Sequence, residues 1–434
     1  MNGTDAAYRA AVSYLNDTPR FTEKHTLNET KQMLAALGHP EEHFRIIHAA
    51  GSNGKGSVCV MTDAILRAAG IKSALFTSPH LVTTRERFVI DGRMVTEAEF
   101  LDDFRDVTGM LEKNPSFPHP TYFEFLFLMA MIRFRKAGVQ AAVVETGLGG
   151  RLDATNAVKN PALTVITSIS LEHTQYLGNT ICEVAAEKAG IIKPGVGVVF
   201  DGNDPEAASV IRRAALQQQS PAFEIRREML HGVAGTQSGY AFLYEGMNGT
   251  YRLQVPSQAQ YQVMNAALAA CTAEHFLKEN QTVMTPKQIR TAVEAGILHM
   301  HFPGRMEEKA DGIILDGAHN PAGIDAFVRS AGAMTVGGNI LLFACMDDKN
   351  YGDMIKKLGA CGLWDLVIVT GTDSPRAAQP KKLEALFKAH TDAAVRCIPD
   401  PGEALEAARA CRRKGGRIFA VGSLYLIGDL ENRL

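Results

Sequence analysis

Cysteines are few in this sequence, and their arrangement argues against a cysteine-bound metal site. Seven cysteines are scattered over 434 residues, and no two of them are spaced as C-x-x-C. A scattered, odd-numbered set does not fit a zinc ribbon and suits a reducing compartment. We therefore expect an intracellular, cytoplasmic protein.

Long apolar runs and a targeting segment are missing as well. No apolar run approaches the ~20 residues that a membrane-spanning helix needs, and the N-terminus lacks the basic-then-apolar pattern of a signal peptide. The formal net charge is -2, with 21% charged and 46% hydrophobic residues. This composition favours neither disorder nor a basic nucleic-acid surface. We expect a soluble monomer that binds small molecules, with no nucleic-acid or membrane partner.

Residues 46–57, with the sequence IIHAAGSNGKGS, form the stretch around which the chain is organised. The apolar start suits a buried strand, and the three glycines permit a tight loop with exposed backbone amides. Ser57 is expected to open a helix whose positive end attracts phosphate, and Lys55 would supply charge. Gly56 separates Lys55 from Ser57, so the spacing departs from G-x-x-x-x-G-K-[ST]. We predict a phosphate-binding loop; the alternative is an ordinary strand-to-helix turn.

Apolar strand patterns alternate with helical patterns along the chain, which is typical of a doubly wound, mostly parallel α/β sheet. The predicted strands after the loop cover residues 73–76, 141–145, 163–167 and 198–200. The predicted helices cover residues 6–15, 27–37, 57–69, 97–111, 122–136, 180–189, 205–216, 261–278 and 286–295. Alternating runs over residues 240–244 and 251–255, with Asn248-Gly249 between them, predict an antiparallel hairpin in a small flanking sheet.

Proline and glycine in residues 301–305 predict a linker, and the alternation restarts beyond it. Strands are predicted over residues 312–315, 340–344, 366–369, 395–398 and 417–421, and helices over residues 321–330, 351–358, 381–390 and 404–413. We therefore predict two domains, 1–297 and 298–434. The second is a smaller, Rossmann-like α/β domain that can bury its own core.

Polar side chains follow the ends of several predicted strands. Ser78 follows strand 73–76, Glu145 ends strand 141–145, and His173 follows strand 163–167. Ligands of open parallel sheets bind at this edge, and an acidic residue there can hold Mg²⁺ against a nucleotide. From spacing alone, plainer interpretations stay open: a solvated strand end for Glu145, a structural histidine for His173, and a solvated helix-end residue for Lys188.

A series of motifs in one order carries a resemblance through most of the chain. The stretches are residues 48–57, 77–81, 145–156, 187–194, 303–305 and 316–321. Together they resemble the folylpolyglutamate synthase and dihydrofolate synthase family of the Mur ligase superfamily. The resemblance implies a P-loop-type central domain that binds ATP, followed by a C-terminal ligase domain.

The resemblance also implies a magnesium- and ATP-dependent, ADP-forming amide ligase of folate biosynthesis. In such a reaction a pterin-bearing carboxylate takes the γ-phosphoryl group, and the amine of L-glutamate then displaces phosphate from the acyl phosphate. Residues 150–156 resemble family members with dihydrofolate synthase activity. We therefore predict a bifunctional enzyme that acts on dihydropteroate and on reduced folates. The alternatives are a monofunctional folylpolyglutamate synthase and another Mur-superfamily amino-acid ligase.

Site residues follow from the same resemblance. The implied ligands of two Mg²⁺ ions are Ser57, Ser78, Glu145 and His173, and the implied catalytic residues are Lys55, Glu145, His173 and Lys188. The implied nucleotide contacts are Asn53, Gly54, Lys55, Gly56, Ser57, Asn265, Arg305, Asp316 and His319. The implied substrate contacts are Thr121, Phe123, Glu124, Arg151 and Asp153, where Asp153 would hydrogen-bond and an aromatic ring would stack on the pterin. Lys188 is expected to be carbamylated by CO₂, which requires a lowered pKa.

The chain departs from the family pattern at a few positions and lacks the marks of two other functions. Glu172 stands before His173 where the family usually has Asp, and Ser52 and Val58 flank the loop where Thr is commoner. A GTPase-like switch would need Asn-Lys-x-Asp, and none is present. A cell-wall ligase would usually have a separate N-terminal domain, for which the roughly 50 residues before the loop are too few.

Overall fold

The structure is a computed structural model that describes residues 3–19, 27–279, 284–301, 303–334 and 337–434. The chain forms two compact units. The first unit comprises residues 1–233, 242–254 and 264–300, and the second comprises residues 234–241, 255–263 and 301–434. The chain passes from the first unit to the second for the last time after residue 300. The domain boundary that we predict after residue 297 stays a prediction. Among the described residues, no helix combines the length and apolar character needed to cross a bilayer.

A large sheet forms the centre of the first unit. Its strands are β1 (Arg45–Ala50), β2 (Ser73–Phe76), β3 (Phe88–Ile90), β4 (Arg93–Met94), β5 (Ala141–Glu145), β6 (Leu163–Ile166), β7 (Val198–Asp201) and β8 (Ala222–Ile225). Within the described residues their order is β4-β3-β2-β5-β1-β6-β7-β8. The pairs are parallel except at β3 and β4. The central strands are buried and apolar because helices cover both faces.

The predicted helices of the first unit agree with the observed ones to within a few residues, and a short helix over residues 174–177 was not predicted. They are α1 (Gly3–Asp17), α2 (Leu27–Ala36), α3 (Lys55–Ala68), α4 (Glu97–Lys113), α5 (Tyr122–Ala137), α6 (Thr174–Leu177), α7 (Ile181–Ala189), α8 (Pro205–Gln217), α9 (Gln262–Glu279) and α10 (Pro286–Leu298). Helix α7 starts at the expected capping box, in which the Thr180 hydroxyl accepts from the Glu183 amide and the Glu183 carboxylate accepts from the Thr180 amide.

A small sheet contains the predicted hairpin. Its strands are β9 (Leu230–Thr236), β10 (Gly239–Gly246) and β11 (Gly249–Val255), in the order β11-β10-β9. Two-residue loops join consecutive strands, so neighbours run antiparallel. Strand β9 was not predicted because it is largely exposed and has no alternation of buried residues.

The second unit has its own six-stranded sheet within the described residues. Its strands are β12 (Arg305–Lys309), β13 (Ile313–Asp316), β14 (Ile340–Phe343), β15 (Leu366–Val369), β16 (Ala394–Cys397) and β17 (Ile418–Val421), in the order β12-β13-β17-β14-β15-β16. Its helices are α11 (Pro321–Met334), α12 (Tyr351–Ala360), α13 (Pro380–His390), α14 (Pro401–Cys411) and α15 (Leu424–Glu431). All pairs are parallel except β12 with β13. The predicted fold class is confirmed.

The predicted linker is wrong at its C-terminal end. Arg305 begins the edge strand β12, whose partner in β13 is Asp316. The strand was missed because its sequence, RMEEK, carries the charged residues that edge strands expose to solvent. Phe302, also part of the predicted linker, lies outside the described residues.

Candidate active site

The predicted phosphate-binding loop connects β1 to α3, and its glycines have no room for side chains. Gly51 and Gly54 have φ values of +151° and +87°. A Cβ on Gly51 would lie 1.8 Å from Oγ1 of Thr167, and one on Gly54 would lie 2.4 Å from Oδ1 of Asn265. The helix begins at Lys55 with Gly54 as its N-cap, so the prediction that Ser57 opens it is two residues late. Asn265 therefore lies against the loop, as predicted for a nucleotide contact.

Residues 167–170, a hydroxyl-rich segment that follows β6, form hydrogen bonds with the phosphate-binding loop. The amide of Ser52 donates to the Ser168 carbonyl at 2.8 Å, and the Ser52 hydroxyl donates to the Ser170 carbonyl at 2.9 Å. The hydroxyls of Thr167 and Ser168 both donate to the Asn53 carbonyl, at 2.8 and 3.1 Å. Sequence reasoning missed these residues, although hydroxyls follow the apolar strand directly. They fix the loop backbone independently of any ligand.

Two lysines and one glutamate gather at the start of the loop. Lys55 Nζ donates to the Gly51 carbonyl at 2.9 Å, and Lys188 Nζ donates to the same carbonyl at 2.7 Å. Lys188 also pairs with Glu172 at 2.7 Å, and its side chain is only 1% exposed. Burial lowers the pKa of Lys188 to about 8, opposed by the charge of Glu172 and reinforced by that of Lys55. Lys188 is therefore not a solvated helix-end lysine.

Glu172 is the carboxylate of this cluster, and sequence reasoning treated it only as a neighbour of His173. Burial raises its pKa, but the charges of Lys188 and Lys55 outweigh burial and lower the pKa to about 2. Glu172 is therefore ionised at physiological pH. The following residue, His173, has left-handed backbone angles of φ 45° and ψ 43° at the N-cap of α6. Such angles are uncommon outside glycine and concentrate at functional sites.

Strand order brings the predicted magnesium residues to one edge of the sheet. β5 lies between β2 and β1, and Glu145 pairs in register with Ala49 just before the loop. Glu145 is 3% exposed, and its Oε2 accepts from the amide of Ser78 at 2.9 Å. Ser57 is buried in the first turn of α3. Ser57, Ser78 and Glu145 therefore lie on three chain segments near the carboxyl ends of parallel strands, and their role as Mg²⁺ ligands stays a prediction.

Asp153 uses its carboxylate in hydrogen bonds inside the protein, and its predicted contact with the pterin stays a prediction. Oδ2 accepts from the amide of Leu148 at 2.8 Å. Oδ1 accepts from the amide and hydroxyl of Thr155, at 3.0 and 2.5 Å. Burial raises its pKa, while these hydrogen bonds lower it. Asp153 thus shapes residues 147–153, the glycine-rich loop.

Thr121 and Glu124 lie at the start of α5, and their predicted substrate contacts stay predictions. They form the capping box of α5, in which the Glu124 carboxylate accepts from the amide and hydroxyl of Thr121 at 2.7 and 2.9 Å. Their first role is therefore to start a helix. Phe123 remains partly exposed; its ring lies 5.6 Å from that of Phe76, and a Cβ on Gly147 would approach it to 2.7 Å. Phe123 therefore borders the glycine-rich loop.

Arg151 extends from the glycine-rich loop beside the last turn of α7. Its amide donates to the Glu187 carbonyl at 2.8 Å, and its guanidinium pairs with the Glu187 carboxylate. The side chain is 60% exposed. A Cβ on Gly150 would meet the backbone of Glu187 and Lys188 at 2.8 to 3.0 Å. This close approach fixes the glycine-rich loop against the backbone that carries Lys188.

The predicted nucleotide residues of the second unit surround the end of β13. Asp316 is fully buried and accepts from the Tyr261 hydroxyl at 2.6 Å and from the amides of Met306 and Ala318. Burial raises its pKa, and Arg305 and these donors oppose the rise. His319 donates from Nδ1 to the Gly317 carbonyl at 2.9 Å. Tyr261 was not predicted, because it lies 55 residues away in sequence.

Comparison with known proteins identifies the family. The Mur ligase middle domain matches residues 49–273, and the Mur ligase glutamate ligase domain matches residues 304–424. A dihydrofolate synthase/folylpolyglutamate synthase of Bacillus subtilis is 32% identical and covers 99% of both chains. A Mycobacterium tuberculosis folylpolyglutamate synthase complexed with ADP has a TM-score of 0.90, 27% identity and coverage of 99% and 98%. Escherichia coli FolC in complex with DHPP and ADP has a TM-score of 0.84, 26% identity and coverage of 100% and 99%. The chain belongs to the folylpolyglutamate synthase and dihydrofolate synthase family of Mur ligases.

Proposed function

We propose that this chain is an ATP- and Mg²⁺-dependent ligase that joins L-glutamate to a pterin-bearing carboxylate. The observation that carries the proposal is a phosphate-binding loop in which Gly51 and Gly54 admit no side chain, in a chain similar over its full length to proteins named for this reaction. Relatives complexed with ADP, and with DHPP and ADP, support a nucleotide and a pterin compound as ligands.

The chemistry requires activation of a carboxylate, because its oxygen is a poor leaving group. A carboxylate oxygen attacks the γ-phosphorus of ATP, ADP leaves, and an acyl phosphate forms. The amine of L-glutamate then attacks the acyl carbon, inorganic phosphate leaves, and the amine loses a proton. Lys55 and the amides of the phosphate-binding loop hold phosphate oxygens and stabilise charge that develops during transfer.

Ser57, Ser78, Glu145 and His173 would hold Mg²⁺ in two sites. Oxygen atoms are the ligands that Mg²⁺ prefers, so Ser57, Ser78 and Glu145 fit, and His173 would add an imidazole nitrogen. The Ser78 amide orients the Glu145 carboxylate in advance. When bound, the metal ions neutralise charge on the phosphate oxygens.

The remaining contacts belong to the same proposal. Asn53, Gly54, Gly56, Asn265, Arg305, Asp316 and His319 are assigned to the nucleotide. Phe123 and Arg151 are assigned to the pterin-bearing substrate, because the ring and the guanidinium retain exposed surface. Flat aromatic ligands favour stacking on such a ring, and carboxylates favour a guanidinium.

Carbamylation of Lys188 by CO₂ is a further part of the proposal. A pKa of about 8 leaves roughly one lysine in ten as the reactive amine at pH 7. The bond would form between Nζ and the carbon of CO₂, with loss of one proton from the amine. The ion pair with Glu172 competes with this reaction because it holds the ammonium form.

An ADP-release assay tests the function and separates the alternatives. Dihydropteroate, tetrahydrofolate and a cell-wall precursor are offered in parallel, each with ATP, Mg²⁺ and L-glutamate. We expect glutamate-dependent ADP release with both pterin acids, which corresponds to the bifunctional enzyme. Release with tetrahydrofolate alone would indicate a monofunctional folylpolyglutamate synthase. Release with the cell-wall precursor alone would contradict the folate assignment.

A further inference from the structure

A chain of buried polar groups joins β1 to the glycine-rich loop. His48 lies in the middle of β1 with no exposed surface, and its Nε2 is 2.7 Å from the hydroxyl of Thr155. That hydroxyl donates to Asp153, whose other oxygen accepts from the amide of Leu148. The chain therefore runs from the strand before the phosphate-binding loop to the loop after Glu145.

The direction of these hydrogen bonds fixes the state of the imidazole. The Thr155 hydroxyl has a single proton and gives it to Asp153, so Nε2 of His48 must carry a proton and donate it. Nδ1 is then a bare lone pair, and it has no hydrogen-bond partner among the described residues. Burial, aided by the charge of Lys193, lowers the pKa of His48 to about 3, so the ring is neutral.

Burying an imidazole with one nitrogen that lacks a hydrogen-bond partner costs free energy of folding. An aliphatic side chain of similar size would avoid the unpaired nitrogen, so packing alone does not account for histidine here. What the imidazole adds is one hydrogen bond to Thr155. That bond supports the hydroxyl that shapes Asp153, and Asp153 shapes the turn that carries Arg151 and passes beside Phe123.

We propose that His48 is a positioning residue that acts through Thr155 and Asp153 to hold the glycine-rich loop in the conformation that binds the pterin-bearing carboxylate. This inference rests on the proposed function, because Arg151 and Phe123 are assigned to that substrate. His48 does not touch the phosphate-binding loop through this chain of bonds. Its removal should therefore weaken pterin binding more than ATP binding.

Four variants separate positioning from stability. His48→Leu and Thr155→Val each remove the bond, and His48→Gln keeps an amide donor near the position of Nε2. Thr164→Val is the matched control, because Thr164 is equally buried and its hydroxyl donates to the Gly197 carbonyl at 3.1 Å, away from the glycine-rich loop. The measurements are KM for the pterin acid and for ATP, and hydrogen–deuterium exchange of residues 146–157.

We expect the first two variants to raise KM for the pterin acid about tenfold, the worth of one buried hydrogen bond, with KM for ATP within about twofold. Exchange in residues 146–157 should increase in both, and His48→Gln should restore most of each change. Equal increases in both KM values, or a Thr164→Val effect as large as that of Thr155→Val, would overturn the proposal.

The exchange measurement separates this inference from the proposed function. If the wild-type protein releases no ADP with any pterin acid, the function fails, whereas exchange still reports whether His48 orders the glycine-rich loop. Unchanged exchange of residues 146–157 in His48→Leu would overturn the positioning role even in an active ligase. If His48→Leu does not fold, Thr155→Val and His48→Gln supply the same comparison.

Discussion

In protein depleted of CO₂, where Lys188 is unmodified, replacing Glu172 by glutamine should destabilise the first unit, because the buried ammonium of Lys188 loses its counter-charge. The two side chains are 8% and 1% exposed, and their charged atoms lie 2.7 Å apart. The pKa of Glu172 is about 2, compared with an ordinary value of 4.5. Since one pH unit corresponds to about 1.4 kcal/mol, ionised Glu172 stabilises the fold by roughly 3 kcal/mol. Breaking a buried pair typically costs about 3–5 kcal/mol, which is consistent with this value.

Ionised Glu172 stabilises the fold, whereas burial of the Lys188 ammonium destabilises it, and each contribution changes over its own pH range. The folded-state pKa of Glu172 is lowered, so its contribution is complete above pH 4.5 and is lost as the pH falls from 4.5 toward 2. Lys188 has a folded-state pKa of about 8, compared with 10.5 ordinarily. Burying its ammonium therefore costs stability below pH 8, and this cost disappears as the pH rises toward 10.5. In Glu172→Gln the pKa of Lys188 should fall further, so this gain should begin at lower pH.

Urea unfolding followed by hydrogen–deuterium exchange measures the effect in each unit separately. The matched control is Glu384→Gln, which breaks a Lys388–Glu384 pair of 2.8 Å whose side chains are 58% and 24% exposed. Such a surface pair is worth at most about 1 kcal/mol. Glu172→Gln should lose roughly 3 kcal/mol at pH 7, and its deficit should shrink as the pH falls from 4.5 toward 2. A loss no larger than that of the control, or a deficit independent of pH, would refute the reasoning.

Three further predictions concern the chemistry. Lys55→Ala and Glu145→Ala should each lower ADP release by at least about 100-fold with unchanged circular dichroism, because they act on phosphate and Mg²⁺; near-normal turnover in either would contradict the phosphate-loop assignment. Lys188 should carry the added mass of one CO₂ in native mass spectrometry, and bicarbonate should restore activity after CO₂ depletion; an unmodified lysine with activity independent of bicarbonate would exclude carbamylation. Purified protein should turn over dihydropteroate and tetrahydrofolate at saturating ATP, Mg²⁺ and L-glutamate, whereas turnover of tetrahydrofolate alone would leave only polyglutamylation.

Strands were predicted accurately from the sequence where both of their faces are buried and their residues are therefore apolar. Ser73–Phe76 and Ala141–Glu145 were predicted to the residue because both faces of these strands are covered, which requires unbroken apolar runs. Strands β3, β4 and β12 were missed because they are short or lie at sheet edges, where exposed charged residues are allowed. Strand β8 (Ala222–Ile225) was also missed, because its partly exposed residues form no unbroken apolar run; it joins the large sheet beside β7.

In the candidate site, as in the fold, some features could be predicted from the sequence and others could not. The phosphate-binding loop and Lys55 could be predicted, because the spacing of the glycines and a lysine at the start of a helix are visible within a few neighbouring residues of the sequence. The hydrogen bonds that hold the phosphate-binding loop could not, because Thr167 and Ser168 lie 114 and 115 residues from Asn53 in sequence. Asp153 shows the opposite case: its hydrogen-bond donors come from within a few residues, and a local cap competes with any ligand for a carboxylate, so its predicted contact with the pterin stays a prediction.

The charges at the phosphate-binding loop are arranged so that a phosphate binding there would break few of the existing hydrogen bonds and ion pairs. Lys55 and Lys188 both donate to the Gly51 carbonyl, and Glu172 neutralises one of the two positive charges. Lys55 has two carbonyl acceptors, at 2.9 and 3.3 Å, and a phosphate oxygen is a stronger acceptor than either because it is charged. In protein with unmodified Lys188, a nucleotide phosphate bound as proposed would replace hydrogen bonds from the Lys55 ammonium to neutral carbonyls with a hydrogen bond to a charged oxygen, while the ion pair of Lys188 stays intact. The buried pair thus keeps the loop net positive without placing two unpaired ammonium groups side by side.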